Sequence, residues 1–542
     1  MEPADITQAH PRYPWQEFPL PSSLWLQDEA SGDDFALRVL QHTLSGLVTN
    51  VVSTGKASRD IPSLWIQTTQ PDQLWRSRFT QRTGVPSRAV SADVAALVST
   101  YADLGVVKGF VAYTVDQVGA QSDVSVNIAT SLCATLQAVA AAGPLIEILE
   151  AMGLRKLANA SEVTYQDLLA GSYRFNRDLL TILRTEQPHA RDLAVASGTL
   201  VTLEAPDGGY DDALVTLNPG AAIFGYGADE FKFTYGASTV GAGIVGCDWS
   251  SNLATLSSGD PVTIKPLPKR ERVVDDGVSF YVAFAITDGD NMQWLINDFT
   301  TGPYWYASPH RGEMPFTWGL HTSSLSQVAP DALSWLLENA TGNDDFLPYA
   351  DSYAYLDVMH KSNQSRLSTF VSQRQPISHA AGLDSAVVFM EDWTLTDAYE
   401  TFAAADPVIK ALFSCQYSAY AAGQGRILRT SKGVPVVSPK ISMWHLDRND
   451  SEFGEPAHVA NVINGWAGEA SGGGDKKRPV EERVAWVPVH AWSTFAAPLD
   501  AQDLAHEGLL GGYSAALYAR RRLSKRVKVV TLGDIADMLQ VK

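Results

Sequence analysis

The stretch SFYVAFAITDGDNMQWL, residues 279–295, sets a strong constraint on the fold. Its continuous apolar run fits a strand buried on both faces, as in a parallel sheet covered by helices. The run ends abruptly in Asp288-Gly289-Asp290-Asn291, which is either an acidic turn or a platform that aims carboxylates at a ligand. Similar apolar runs recur at 315–320, 353–358, 386–390, 411–415, 434–437, 484–489 and 528–531, with helix-like or polar segments between most of them. About eight such runs over this span have the size and rhythm of a (β/α) barrel, irregular or seven- to eight-stranded, with a doubly wound sheet as the competitor.

The first half also alternates strands and helices. SLWIQTT and GFVAYTV read as buried strands, and SADVAALVSTYADLG as a helix stopped at Gly105. The long segment from Val124 to Leu154 reads as two helices split at Gly143-Pro144. A chain of 542 residues exceeds one hydrophobic core. The expected organisation is an N-terminal α/β domain over 1–260, a Pro-, Gly- and charge-rich linker over 261–277, and a C-terminal β/α-barrel domain over 278–542. Within the latter, 447–483 reads as a long loop or lid whose softest point is Gly472-Gly473-Gly474.

A formal net charge of -19 argues against nucleic acid and anionic membrane as partners. The basic group Arg520, Arg521, Arg522, Lys525, Arg526 and Lys528 reads as a solvated helix end. No apolar stretch reaches the roughly 18–20 residues of a membrane span. The first residues lack a basic-then-apolar leader, which favours a cytoplasmic location. Cys133, Cys247 and Cys415 are far apart and read as buried thiols. No nucleophile elbow, Walker loop or dinucleotide fingerprint occurs.

Polar residues cluster just after the apolar runs: Asp288, Asp290 and Asn291, then His321, Glu391 and Asp392, Gln416 and Tyr417, Lys440, His490 and Trp492. In a β/α barrel these positions form the active face. Acids and aromatics gathered there suggest a carbohydrate or metal site. Asp288 and Asp290 suit general acid chemistry if one carboxyl is raised by the other, or a hard divalent cation if both act as oxygen ligands. Glu391 is the simplest second carboxyl for glycoside hydrolysis, with Asp392 beside it. His321 and His490 suit proton transfer or a sugar hydroxyl. Trp294, Trp318, Trp492, Tyr353 and Tyr355 suit stacking on a sugar face. Asp229 and Glu230, from the first half, are further candidates.

In order along the chain, TLSGLVTN, GFVAYTVD, ARDLAVASGTLV, YGADEFKFTYGASTVGAGIVGCDWSSNLA, YVAFAITDGDNMQW, RGEMPFTWGLHTSSLSQVAPDALSWL and KGVPVVSPKISMW resemble segments of the GxGYxYP family of putative glycoside hydrolases. The name-giving motif is altered here: in ADSYAYL, Tyr353 and Tyr355 are kept, both glycines and the proline are replaced, and Asp351 appears. The resemblance implies a hydrolase acting on a carbohydrate or glycoside. Asp290 is then the expected general acid, Glu391 the base or nucleophile and Asp288 the orienting group. Asn291, Trp294, Trp318, His321, Asp351, Tyr353, Tyr355, Asp392, His490, Trp492 and Glu230 are expected around the substrate. No cofactor is required by this reading. The alternatives are a divalent-metal hydrolase or deacetylase using Asp288 and Asp290, and a non-catalytic carbohydrate-binding protein.

Overall fold

A computed structural model describes residues 17–540, apart from 32–33, 69, 91–92, 116–122, 172, 261, 268–270, 272, 350, 418, 447–448 and 471–477. Among the described residues the chain divides into two compact units: 17–263 with 324–332, and 264–323 with 333–540. The architecture is mixed α/β with largely parallel sheets.

The first unit holds three parallel sheets. β1 (Leu24–Asp28) lies between β2 (Ser63–Gln67) and β3 (Ser87–Ala89). β4 (Gly109–Ala112) lies between β5 (Ala138–Ala141) and β6 (Arg155–Asn159). The third has the order β10 (Gly243–Val245), β9 (Ala222–Tyr226), β7 (Leu179–Leu183), β8 (Val201–Thr202). The helix α1 (Phe35–Ser53) is capped by Asp34, whose side chain accepts from the Leu37 amide. Its residues Val39 to Val51 are all buried, and polar ones among them give their protons to backbone carbonyls: Gln41 to Asp28, Ser45 to Leu64 and Asn50 to Ala196. A Cβ at Gly46 would lie 2.2 Å from the Asp192 carbonyl, so glycine permits a backbone-close crossing with the helix Arg191–Ser197. Segment 324–332 is tied in by a two-pronged ion pair from Arg82 to Asp331. The expected helix ahead of Gly143-Pro144 is corrected in its second half. The helix Ser125–Leu136 stops at Gln137, with φ 51°, and the alanines that follow form β5. Pairing with β4 and full burial override the helix preference of alanine there.

In the second unit one sheet has the order β13 (Asp344–Pro348), β12 (Phe316–Leu320), β11 (Phe280–Ile286), β20 (Val484–Val489), β18 (Ser442–Met443), β19 (Phe453–Gly454), with β23 (Val527–Val530) also on β11. A second sheet has the order β14 (Ser385–Met390), β15 (Ala411–Gln416), β17 (Pro435–Val437), β16 (Ile427–Arg429), of which β16 alone is antiparallel. β21 (Thr494–Ala496) and β22 (Leu509–Gly511) form a small hairpin. Strand pairing among the described residues therefore yields two sheets and not one closed barrel. They are linked by isolated parallel bridges, Tyr349 to Val387 and Tyr355 to Phe389, and by hydrogen bonds from the Lys440 amide to the Trp486 carbonyl at 3.2 Å and from Trp486 Nε1 to the Val437 carbonyl at 3.1 Å.

Seven of the eight expected runs are strands; the run at 353–358 is not. It leads into the helix Leu356–Ser362, and the strand lies earlier, at β13. Its sequence, DDFLP, opens on two acids that hydrogen-bond donors make acceptable: Asp344 accepts from Trp318 Nε1 and Arg311, and Asp345 from the Gly533 amide. The expected lid over 447–483 contains the helix Pro456–Ala470; Gly472, Gly473 and Gly474 fall outside the described residues.

The strand β14 shows the period of two that sets its two faces. Ala386, Val388 and Met390 pack with Met359, Leu367, Phe370 and Phe402 of the covering helices. Phe389, on the other face, meets Tyr349, Tyr353 and Tyr420. All three cysteines are buried and free, and no helix among the described residues is long and apolar enough to cross a membrane.

Candidate active site

β11 and β20 run parallel in register, Ile286 opposite Val489, and both end at the same level. The Thr287 amide donates to the Val489 carbonyl at 3.0 Å, and Thr287 Oγ1 accepts from the Ala491 amide at 3.0 Å. The chain then turns sharply. Asp288 has φ 62°, a left-handed conformation that Asp tolerates better than most residues. The next residue has no room for a side chain: a Cβ on Gly289 would lie 2.4 Å from the carbonyl carbon of Gly319 on β12. A Cβ on Gly319 would in turn lie 2.8 Å from Tyr349 Cβ. Two glycines thus let the acidic turn press directly onto the neighbouring strand.

Asp288 is held by two donors. Its Oδ1 accepts from Trp492 Nε1 at 2.9 Å, and Thr287 Oγ1 donates to its Oδ2. Asn291 caps the short helix Met292–Leu295 by accepting from the Trp294 amide. Both carboxylates lie close enough to Tyr349 to add to the effect of burial, which pushes that hydroxyl well above its usual pKa. His490 follows β20; its amide donates to the Met443 carbonyl and its Nδ1 shares a 2.8 Å hydrogen bond with Ser493. Its ring stacks on Trp444, with centroids 4.0 Å apart and planes within 14°. Burial lowers the His490 pKa, and the charge of Asp288 partly opposes this.

Aromatic rings continue from there. Trp444 meets Tyr420 at 5.2 Å, Tyr420 meets Phe389 at 5.3 Å, and Phe389 meets Tyr353 at 5.2 Å. On the other side, Trp294, Trp305 and Trp492 form a mutual cluster with centroids 5.1–5.6 Å apart. Trp492 remains 43% exposed, whereas Trp294 is buried. The exposed indole is the one bonded to Asp288.

Several expected site residues are buried in the structure. Trp318 is fully buried, gives its Nε1–H to Asp344 at 2.8 Å and stacks on Tyr513. Tyr353 and Tyr355 are buried among Phe389 and Tyr417. His321 is fully buried: its Nε2 accepts from the Ser352 amide at 3.2 Å, and its Nδ1 lies 3.2 Å from Asp351 Oδ1. Asp351 also accepts from the Ser323 amide and hydroxyl. Ser352, at the position of the second motif glycine, has φ 64°. The altered motif thus retains the glycine-type backbone and adds an acid that anchors it.

Glu391 and Asp392 sit at the end of β14, and both amides donate to the buried Asp357. The Glu391 carboxylate is 42% exposed and lies 3.9 Å from Lys361. Asp392 accepts from the Thr394 hydroxyl and amide, which lowers its pKa. Asp229 and Glu230 belong to the first unit, where Asp229 caps the helix Glu230–Val240 and Tyr226 bonds to Glu230. Trp444 and Tyr420 were not singled out by the sequence. Trp444 follows a two-residue strand, and only the pairing of β18 with β20 brings it under His490.

Residues 279–499 match the family model described as "GxGYxYP putative glycoside hydrolase C-terminal domain", and 179–258 match the "GxGYxYP third domain". A crystal structure of a putative hydrolase from Bacteroides thetaiotaomicron VPI-5482 is similar over 98% of this chain and 98% of that one, at 23% identity and a TM-score of 0.79. No curated protein matches the chain.

Proposed function

The chain belongs to the GxGYxYP family, and on that premise we propose that it hydrolyses a glycosidic bond with carboxyl groups at the C-terminal ends of β11 and β14. The observation that carries this reading is the hydrogen bond between the Asp288 carboxylate and the half-exposed indole of Trp492, beside His490. A sugar ring stacked on that indole would bring its substituents to the acidic turn. Asp290 is the general acid in this proposal. Asp288, fixed by two donors, faces the sugar and supports positive charge developing on it. Glu391 is the base or nucleophile. The two sheets would together present their strand ends to one substrate in the manner of a β/α barrel.

Asp290→Asn should fold normally and lower turnover of activated aryl glycosides by at least about 10²-fold, the usual contribution of a general acid. Glu391→Gln should do the same. Unchanged turnover in Asp290→Asn removes it as the acid, and turnover unchanged in both variants removes the carboxyl-pair mechanism.

A further inference from the structure

In the first unit, Glu29, His42 and His189 can each present one ligating atom with all three atoms within 4.8 Å of one another. Glu29 follows β1, His42 lies on α1, and His189 lies between β7 and the helix Arg191–Ser197, so three separate elements supply the group. His42 Nε2 is 3.0 Å and His189 Nε2 is 2.8 Å from the same oxygen, Glu29 Oε1. The loop carrying Glu29 is pinned: the Gln41 side chain accepts from the Ala30 amide and donates to the Asp28 carbonyl.

The contacts around His189 cannot all be satisfied by protons. Arg38 lies 2.9 Å from His189 Nε2 and 3.2 Å from Glu29 Oε1. Guanidinium only donates, so His189 Nε2 must present a lone pair to Arg38. Glu29 only accepts when ionised, so the same nitrogen must present a proton to Glu29. A metal ion resolves the conflict, because both imidazole nitrogens and the carboxylate oxygen can then offer lone pairs to one centre. The His42 ring is fully buried, and its far nitrogen, without a hydrogen bond, lies 4.0 Å from Asp192 Oδ1. A carboxylate behind a ligating imidazole is the usual outer support of such a site. Ligand separations of 2.8–3.0 Å are a few tenths of an ångström below the roughly 3.3 Å expected around a tetrahedral ion with bonds of about 2.0–2.1 Å.

We propose that Glu29, His42 and His189 form a site for a borderline divalent transition metal of the zinc class, with the Arg38 guanidinium standing in for the cation when metal is absent. Two nitrogens and one oxygen favour such ions over magnesium or calcium, which prefer all-oxygen shells. Three protein ligands leave a coordination position for water or another ligand. This proposal is independent of the glycosidase reading.

Metal-stripped full-length protein should be titrated with Zn²⁺ by calorimetry and with Co²⁺ by visible absorption, with Mg²⁺ as control. The expected result is one Zn²⁺ per chain, a Co²⁺ spectrum with resolved d–d bands, and no Mg²⁺ uptake. Glu29→Gln and His189→Ala, both at partly exposed positions, should weaken Zn²⁺ binding by at least tenfold and alter the Co²⁺ bands. Arg38→Ala should tighten Zn²⁺ binding by removing the competing cation. Absence of stoichiometric Zn²⁺ binding by the unaltered chain overturns the proposal. Affinity and spectra unchanged in folded Glu29→Gln and His189→Ala, checked by circular dichroism, also overturn it.

Discussion

Trp492 donates its indole N–H to Asp288 over 2.9 Å and so joins the ends of two adjacent parallel strands, β11 and β20. The bond fixes one oxygen of the carboxylate while Thr287 occupies the other. It also orients an aromatic surface that is 43% exposed. Trp492→Phe keeps most of that surface and removes the donor. A hydrogen bond to a charged group contributes about 1.5–3 kcal/mol when buried and less when partly exposed, so a loss of about 1 kcal/mol in unfolding free energy is expected. Trp492→Ala removes the surface as well and should raise KM for glycosides beyond the Phe variant. Denaturant titration and steady-state kinetics on both variants separate the two contributions; equal KM values would mean that the indole is not a sugar platform.

The acidic turn depends on a missing side chain. A Cβ at Gly289 meets the Gly319 backbone at 2.4 Å, and backbone atoms cannot swing aside as a flexible side chain would. Gly289→Ala must therefore push β11 and β12 apart at their ends or rebuild the turn. Overpacking of this kind costs about 1–3 kcal/mol. Because the displaced atoms carry Asp288 and Asp290, turnover should fall by more than the stability loss alone implies. Thermal melts and turnover measured on the same preparation test this, and a variant with unaltered melting contradicts the close approach.

The altered motif offers a paired test. Asp351 accepts from the Ser323 amide and hydroxyl and lies 3.2 Å from His321 Nδ1, in a buried setting. Asp351→Ala removes a buried acceptor shared by these groups and should lower unfolding free energy by about 3 kcal/mol. Ser352→Gly should act in the opposite direction. A left-handed backbone costs a non-glycine residue about 1–2 kcal/mol, of which the extra flexibility of glycine in the unfolded chain takes back about half. A small gain, up to about 1 kcal/mol, is the expected outcome by chemical denaturation.

How far the sequence could be read depended on how local each signal was. β11 was legible because seven buried residues run together and Asp288-Gly289 ends them sharply. β13 was not, because its two leading acids are made acceptable by Trp318, Arg311 and Gly533, which are distant in sequence. The helix Pro456–Ala470 was obscured by Gly465 and Gly468 and by the charged, glycine-rich segment that follows. At the site, Asp288, His490 and Trp492 could be named from strand ends alone. Trp444 could not, since its place under His490 follows from strand register. The buried roles of Trp318 and His321 were hidden for the same reason: a residue after or within an apolar run reads alike whether it faces a cleft or a neighbouring strand. Glu29 and His189 are 160 residues apart, and no spacing rule relates them.

Asp275 supplies a pH-dependent test away from the site. Arg483 donates to both its oxygens, at 2.8 and 2.6 Å, and these hydrogen bonds are the main cause that lowers the Asp275 pKa below its ordinary value. The native state therefore holds this carboxylate ionised at acidities where the unfolded chain protonates it. By linkage, the resulting stabilisation is fully present above the unfolded carboxylate pKa of about 3.9 and is lost as pH falls through the lower folded value. Asp275→Asn removes the contribution at every pH. Its melting temperature should thus lie below that of the unaltered protein at pH 7, and the gap should narrow only below about pH 4. Melting curves from pH 7 down to pH 3 measure the gap directly; a gap that widens on acidification would show that the ion pair does not hold Asp275 ionised.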